Sequence, residues 1–253
     1  MWADRETTVE HAAWDGAFNL RDLGELPLSR GGATVSGRVY RSGSREYVTT
    51  IGWNQASAAG LHTVVDLRNA PTETARLPFH ATIDEAVMDS FCVLNRPTED
   101  QGDEDFMTAC GPWLDHPRSY ADNVAFYPEK FAAVFRAIAE SAGPVLIHCA
   151  AGRDRTGMVV AMLLSLTGAR HEAIVDDYEV AVRAVNTHLE ANPGDGRESA
   201  HTIEQLNERI VERRAALSAW LSSFDVTEYL VGAGLAEDEI LRLRRLLRPE
   251  PAS

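Results

Sequence analysis

The chain has 253 residues, of which 45% are apolar and 25% are charged, as is typical of a globular protein rather than a disordered one. Acidic residues outnumber basic ones, and the formal net charge is −14 at pH 7. This charge argues against nucleic acid as a partner, because duplex binding requires a basic surface. It leaves open a local cationic pocket for one small anion.

The sequence also favours a cytoplasmic location. The three cysteines, Cys92, Cys110 and Cys149, are too few and too odd in number for a disulfide framework, which favours a reducing compartment. The N-terminal residues show no secretory signal, and the longest apolar run, 158–166, is far shorter than the ~20 residues of a membrane span. We therefore expect no integral membrane segment, while export without a recognisable signal stays open.

The first half of the chain alternates predicted strands and helices. Residues 38–41 are a strand candidate, and residues 53–59 are predicted to form a helix. β-Branched and apolar residues without alternation predict a strand over 63–67 that is covered on both faces. A weaker strand is predicted around 86–88, and the acidic segment 97–105 predicts a solvated polar loop.

The second half is predicted to be mainly helical. A helix starting at Pro128 is followed by a buried-strand pattern over 145–147, and the almost wholly apolar segment 156–166 predicts a buried helix. Further helices are predicted over 172–189, over 203–221, after the N-cap candidate Asp225 and through the Leu-rich segment 240–247. No strong linker interrupts these elements, so we expect residues 1–253 to form one α/β domain.

Residues 145–157, which read Val-Leu-Ile-His-Cys-Ala-Ala-Gly-Arg-Asp-Arg-Thr-Gly, carry the strongest functional signal. A buried strand is predicted to end at Cys149, a loop of small residues follows, and a helix is predicted to begin just after Arg155. The loop between these two residues is long enough to wrap around one tetrahedral oxyanion. Inward-facing backbone N–H groups of such a loop form an anion nest, and the helix N-terminus adds the positive end of its dipole.

The same residues suit nucleophilic chemistry on phosphorus. The guanidinium of Arg155 offers a planar fork for two phosphoryl oxygens. Because a cysteine beside an arginine and a helix N-terminus is stabilised as a thiolate, Cys149 could attack the phosphorus in line and form a thiophosphoryl-enzyme that water hydrolyses. Thr156 could donate to the Cys149 sulfur, cap the helix, or do both. This chemistry needs no metal, and we expect no cofactor.

The segment resembles the Cys-x5-Arg-Thr/Ser signature of Cys-based phosphatases. It is similar in particular to the HCxAGKDRTG pattern of the bacterial tyrosine phosphatase family 3, a group of atypical dual-specificity phosphatases, and differs from it at Arg153, where the pattern has lysine. Residues 19–24 (Asn-Leu-Arg-Asp-Leu-Gly) resemble the family's NxRDLGG, with Glu25 in place of the last glycine, and 40–42 (Tyr-Arg-Ser) follow in the expected order. The resemblance covers about 14–248. It implies a Cys-based phosphatase fold, with a central, mostly parallel, twisted sheet flanked by helices and with extra C-terminal helices.

The resemblance also implies the reaction and the substrates. It indicates hydrolysis of phosphotyrosine, extended by the extra charge of Arg153 toward phosphoserine/threonine and phosphoinositides. The partner would be a phosphorylated protein, small molecule or lipid headgroup. We predict catalytic residues and substrate-binding residues on this basis; they are Cys149, Arg155 and Asp154 for catalysis, and Ala150, Ala151, Gly152, Arg153 and Thr156 for binding.

The general acid is left open by the sequence. The leaving oxygen needs a proton, so a carboxylic acid must lie close to it. Asp154 is the first candidate, because it lies inside the loop and the resemblance points to it, although it could instead orient backbone N–H groups or pair with Arg153. Asp115 and Asp66 are the other candidates. Arg153 could alternatively be an exposed arginine screened by Asp154.

Other polar residues are expected to support the loop. Asp66 is a natural partner for Arg21 or Arg68, and His148 is similar to the residue that orients the loop in Cys-based phosphatases. The 19–24 motif is expected to pack against the loop, with Arg21 and Asp22 as a pair.

Two other classes of function stay open. One is an arsenate reductase or a sulfurtransferase on a similar loop, and the other is a binding module that reads phosphate without hydrolysing it. The predicted helix over 203–221 packs on the core or partly covers the site as a lid.

Overall fold

The computed structural model describes residues 13–74, 79–193 and 198–249. Within these ranges five strands form one sheet in the order β1-β2-β5-β3-β4, in which β1 is antiparallel to β2 and the other neighbours are parallel. The strands are β1 (Arg21–Asp22), β2 (Val39–Ser42), β3 (Thr63–Asp66), β4 (Cys92–Asn95) and β5 (Val145–His148). The mostly parallel sheet predicted from the sequence is confirmed.

Helices surround this sheet and make up most of the second half of the chain. Their bounds are α1 (Thr50–Ala58), α2 (Glu85–Met88), α3 (Glu104–Ala109), α4 (Tyr120–Phe126), α5 (Pro128–Ala139), α6 (Asp154–Thr167), α7 (His171–Ala191), α8 (Ile203–Ser223), α9 (Val226–Gly232) and α10 (Glu237–Leu246). Short 3-10 turns lie at Arg45–Tyr47, Gly111–Trp113 and Pro117–Ser119. Among the described residues, no helix combines the length and the apolar character that crossing a bilayer would need.

The central strand β5 is covered on both faces, as its unbroken apolar sequence predicts. Val145 and Ile147 point into a large core that also contains buried residues of α5 and α6. Leu146 points to the opposite face, into a smaller core around Trp53 of α1. Successive side chains of a strand alternate between faces, so a strand buried on both sides has apolar residues at successive positions, here at 145–147.

The C-terminal helices pack on the large core. Leu217 of α8, Leu230 of α9 and Leu243 of α10 are each fully buried in it. The stripe of apolar residues predicted for 203–221 is therefore used in packing, which is the first of the two roles considered for this helix.

Two predictions along the first half were wrong. Residues 86–88 belong to α2, because the Asp84 side chain accepts a hydrogen bond from the Ala86 N–H at 3.0 Å and starts a helical turn there. The strand lies later, at Cys92–Asn95. The predicted loop 97–105 ends early, because Asp103 caps α3 in the same way and Glu104 begins that helix.

Candidate active site

The predicted anion loop connects the carboxyl end of β5 to the first turn of α6. Cys149 follows β5 directly and is only 2% exposed. The helix begins at Asp154, earlier than predicted, so that Asp154 and Arg155 lie in its first turn. A loop at the carboxyl end of a parallel strand that feeds a helix N-terminus is a common setting for an anion site.

Three consecutive carbonyl groups of this loop are held by donors from other parts of the chain. The pairs are Ser44 N to Ala150 O at 2.8 Å, Asn19 Nδ2 to Ala151 O at 2.9 Å, and Arg41 Nη2 to Gly152 O at 2.7 Å. Because the N–H of a planar trans peptide points away from its C=O, the N–H groups of residues 151–153 face the opposite side. No described residue accepts a hydrogen bond from them. The loop thus presents a row of unpaired backbone donors.

Gly152 is required by the path of the loop. Its φ is +69°, and a Cβ atom there would lie 2.2 Å from the carbonyl oxygen of Ser42 at the end of β2. Any side chain would therefore clash with the backbone of the neighbouring strand as well as strain its own.

Two of the three donors that hold the loop, Asn19 and Arg41, are themselves anchored by one buried carboxylate. Asp177 of α7 accepts from Arg21 Nε at 2.6 Å and forms a second ion pair with Arg41. Arg21 Nη1 in turn donates to Asn19 Oδ1 at 2.7 Å. Burial opposes ionisation of Asp177, but the two guanidinium groups outweigh it and lower the pKa of this carboxyl.

The predicted pairing of Arg21 with Asp22 was wrong. Asp22 instead accepts hydrogen bonds from the backbone N–H groups of Gly24 and Gly37 at 2.9 and 2.5 Å. The prediction that residues 19–24 pack against the loop is confirmed by the contact between Asn19 and Ala151.

A second buried network lies beside His148, the residue that precedes Cys149. Arg68 binds both oxygens of Asp66, with Nε–Oδ1 at 2.9 Å and Nη2–Oδ2 at 2.6 Å. Of the two partners predicted for Asp66, Arg21 and Arg68, the structure therefore has Arg68. Burial raises the pKa of Asp66, but the hydrogen bonds from Arg68 and the charge of His148 lower it to about 2. Asp66 is therefore an ionised structural group.

His148, next to the nucleophile, is fully buried. Its Nε2 lies 3.7 Å from Oδ2 of Asp66, and burial lowers the pKa of His148 to about 4 in spite of that carboxylate. The imidazole is therefore neutral at neutral pH.

The guanidinium of Arg155 is held by two carboxylates from distant loops. Glu73 binds both terminal nitrogens, with Nη1–Oε2 at 2.7 Å and Nη2–Oε1 at 3.0 Å, and Oε1 of Glu99 lies 3.5 Å from Nη1. Glu99 is only 3% exposed, so the predicted solvated loop is wrong at this residue. No described residue accepts a hydrogen bond from Nε of Arg155, which leaves one edge of the guanidinium open.

Arg153 is also buried between two carboxylates. Its Nε lies 3.1 and 3.0 Å from the two oxygens of Asp154, and its Nη1 and Nη2 bind Glu198 at 3.0 and 2.7 Å. With 5% of its side chain exposed, Arg153 is not the exposed arginine of the alternative prediction. Burial raises the pKa of Asp154, although Arg153 acts in the opposite direction.

Thr156 and Asp115 make different contacts from those expected. The first turn of α6 has no side-chain cap, and the buried Oγ1 of Thr156 has no hydrogen-bond partner among the described residues. Asp115 is bound by Arg213 of α8, with Nη2–Oδ2 at 2.7 Å. Burial raises the pKa of Asp115, but Arg213 outweighs it, so the net shift is downward.

Several residues at the site were missed because their sequence context gives no signal. Glu73 and Glu198 are single acidic residues in loops, Glu99 belongs to an acidic segment that predicts solvation, and Asp177 lies within a helix of ordinary amphipathic pattern. Only Arg41 had a signal, since it lies in the 40–42 segment that follows the family order.

Comparison with known proteins shows that the similarity covers most of the chain and not only residues 145–157. The sequence profile of the tyrosine phosphatase family matches residues 12–249. A tyrosine-protein phosphatase of Nostoc commune is 28% identical over 245 residues, which cover 91% of this chain and 80% of that protein. The triple specificity protein phosphatase PtpB of Mycobacterium tuberculosis is 28% identical over 187 residues, covering 64% of this chain and 66% of PtpB.

Two further similarities were found. A protein of Cupriavidus necator, named among the tyrosine-protein phosphatases, is 31% identical over 177 residues, which are 66% of this chain and 61% of its own length, so this chain spans about three fifths of that relative. Among solved structures, P. aeruginosa TpbA is similar with a TM-score of 0.42 and 18% identity, over 91% of this chain and 100% of that one. From the profile match, the chain belongs to the tyrosine phosphatase family, as residues 145–157 predicted.

Proposed function

We propose that this protein hydrolyses phosphate monoesters, with phosphotyrosine as the main substrate, through a cysteinyl-phosphate intermediate. The observation that carries this proposal is the set of three loop carbonyls bound by Ser44, Asn19 and Arg41. It leaves the backbone N–H groups of 151–153 unpaired beside Cys149, where they suit a phosphoryl group. Family membership favours this function over arsenate reduction, sulfur transfer or phosphate reading without hydrolysis.

In the first step, the Cys149 thiolate attacks phosphorus in line with the leaving oxygen. The S–P bond forms while the bond from phosphorus to the leaving oxygen breaks, and that oxygen takes a proton from Asp154. The charge on the equatorial oxygens is stabilised by the loop N–H groups and by the open Nε edge of Arg155. The unpartnered hydroxyl of Thr156 is available to donate to the Cys149 sulfur while it is a thiolate, before this attack and when the S–P bond breaks in the second step.

In the second step, water attacks the phosphorus and the S–P bond breaks. Asp154, now a carboxylate, accepts the proton of the attacking water, and the Cys149 thiolate and inorganic phosphate are regenerated. The same residue thus acts as acid and then as base.

The environment of the three acid candidates supports Asp154 for this role. The general acid must hold its proton at working pH, and burial raises the pKa of Asp154. Arg68 and Arg213 bind Asp66 and Asp115 as carboxylates. Both of these have lowered pKa values and are poor proton donors.

The direct test is hydrolysis of p-nitrophenyl phosphate and of a phosphotyrosine peptide in excess chelator. We expect both to be hydrolysed, vanadate to inhibit, and Cys149→Ser to be inactive. Full activity of Cys149→Ser would refute the cysteinyl-phosphate mechanism, and loss of activity in chelator would refute the metal-independent one.

The breadth of the substrate range is also part of the proposal. PtpB carries three specificities in its name, so phosphoserine/threonine peptides and phosphoinositides are candidate substrates beside phosphotyrosine. A side-by-side panel of phosphotyrosine, phosphoserine and phosphothreonine peptides and phosphoinositides measures this range. We expect phosphotyrosine to have the highest kcat/KM.

We further propose that the protein works in the cytoplasm. Cys92, Cys110 and Cys149 are all free thiols, and a nucleophilic cysteine functions only while it is reduced. Fractionation of cells that express the full-length protein would test this, and recovery of the protein outside the cytoplasmic fraction would refute it.

A further inference from the structure

Glu198 binds the two terminal nitrogens of Arg153 end on. The distances are 3.0 Å from Nη1 to Oε2 and 2.7 Å from Nη2 to Oε1, and the remaining Nε is held by Asp154. All three nitrogens of this guanidinium are therefore paired with carboxylates of the chain itself. Paired N–H groups of arginine facing two carboxylate oxygens form the strongest common type of charge-assisted contact.

Glu198 offsets the charge of Arg153 at this point. The side chain of Arg153 is only 5% exposed, so water screens this ion pair little. Glu198 is itself 39% exposed, so the carboxylate comes from the solvent side and covers Arg153 from there. Because every nitrogen of Arg153 is already paired, unlike Nε of Arg155, a further anion can reach this guanidinium only by displacing one of its partners.

We propose that Glu198 is a specificity-determining residue that occupies Arg153 and so excludes a second phosphoryl group of the substrate. This inference rests on the proposed phosphatase function and concerns the choice of substrate at the same site. It assigns to the enzyme a preference for singly phosphorylated aryl substrates over multiply phosphorylated headgroups.

The physical reason is competition for the same donors. A second phosphoryl group that reached Arg153 would have to displace Glu198 and would then lie close to its carboxylate, which repels it. Without the charge of Glu198, the adjoining cavity would carry more positive charge, because Arg153, Arg209 and Arg213 line it.

The test compares two substrates in the full-length protein. The first is p-nitrophenyl phosphate, and the second is a water-soluble, short-chain phosphatidylinositol bisphosphate. We expect Glu198→Gln to raise the kcat/KM ratio of the bisphosphate to the aryl phosphate by about tenfold, the order of one charged hydrogen-bonding contact. Glu198→Ala removes the same carboxylate and should raise the ratio as well, which guards against misfolding of one variant.

The matched control is Glu208→Gln, which makes the same change of charge on the exposed face of α8, where Glu208 has no partner among the described residues. This control should leave the ratio unchanged. An increase of less than about threefold in both Glu198 variants, or an equal increase in Glu208→Gln, would overturn the proposal. Wild-type protein that is inactive on p-nitrophenyl phosphate would refute the proposed function, whereas active wild type with an unchanged ratio would refute only the role of Glu198.

Discussion

Glu73 and Arg155 form a two-point ion pair, with both terminal nitrogens of the guanidinium bound to both oxygens of the carboxylate. Glu73 is fixed in turn by the backbone N–H of Asn69, which donates to its Oε2 at 2.8 Å. The pair orients the guanidinium while the Nε edge stays open. We therefore expect Glu73 to act as a positioning residue and the oxyanion to bind at the Nε edge.

This relationship predicts weaker oxyanion binding when the pair is broken. In Glu73→Gln we expect the KM for p-nitrophenyl phosphate and the inhibition constant of vanadate to rise about tenfold, because the charge that orients Arg155 is lost. Steady-state kinetics at one pH measure both constants. Glu140→Gln, an exposed change at the end of α5, is the control. Tighter vanadate binding in Glu73→Gln would show instead that Glu73 competes with phosphate for the same edge.

The raised pKa of Asp154 predicts a basic limb in the pH–rate profile. Because the acid must be protonated to give up its proton, kcat should fall as pH rises through this raised pKa. Asp154→Asn should remove the limb and slow hydrolysis by roughly 10²–10⁴-fold for alkyl phosphates, whose leaving groups need the proton most. Aryl phosphates with good leaving groups should lose less. A larger loss in Asp115→Asn than in Asp154→Asn would assign the acid to Asp115.

The buried, neutral His148 predicts that stability is lost at mildly acidic pH. Its pKa is about 4 in the fold, against 6.5 as the ordinary value, so between these limits the unfolded chain binds the extra proton. The stabilisation is complete above pH ~6.5 and is lost as the pH falls toward about 4. From pH ~7 to ~5 we expect the free energy of unfolding to fall by about 2 kcal/mol from this group.

Urea denaturation at these two pH values measures the effect. His148→Gln should reduce this pH dependence, whereas the exposed His62→Gln should retain it. An unchanged pH dependence in His148→Gln would contradict the prediction.

Asp177 is expected to support the loop without touching the substrate. Asp177→Asn would leave the buried Arg21 and Arg41 without their shared anion, and removing one partner of a buried ion pair costs about 3–5 kcal/mol. We expect a loss of stability of this order in urea denaturation, with a lower kcat/KM because Arg41 no longer holds the carbonyl of Gly152 in place.

The neighbouring residue provides the control for this prediction. Asp176 binds Arg214 at the surface with 59% of its side chain exposed, and such pairs contribute at most about 1 kcal/mol. Asp176→Asn should therefore unfold almost like the wild type. Equal losses of stability in Asp177→Asn and Asp176→Asn would show that the buried ion pairs stabilise the fold no more than the exposed one does.

The part of the site that is continuous along the chain could be predicted from the amino-acid sequence. A buried strand, a loop of small residues and a helix follow each other within residues 145–157, so local spacing is enough to predict where the loop and its residues lie. The buried strands 63–67 and 145–147 were predicted for the same reason, because a run of apolar residues reports burial directly. At 86–88 the predicted strand was wrong, because a short apolar run does not distinguish a strand from one helical turn.

Most contacts around the loop, in contrast, depend on how distant segments pack and could be found only in the folded chain. Asn19, Arg41 and Ser44 reach its carbonyls, and Glu73 and Glu198 reach its arginines, from segments far away in the sequence. An ion pair between distant loops leaves no periodic pattern, because its geometry depends on how the sheet and helices bring the loops together. For this reason the charge of Arg153 could be predicted from the sequence, whereas its pairing with Glu198 could be found only in the three-dimensional structure.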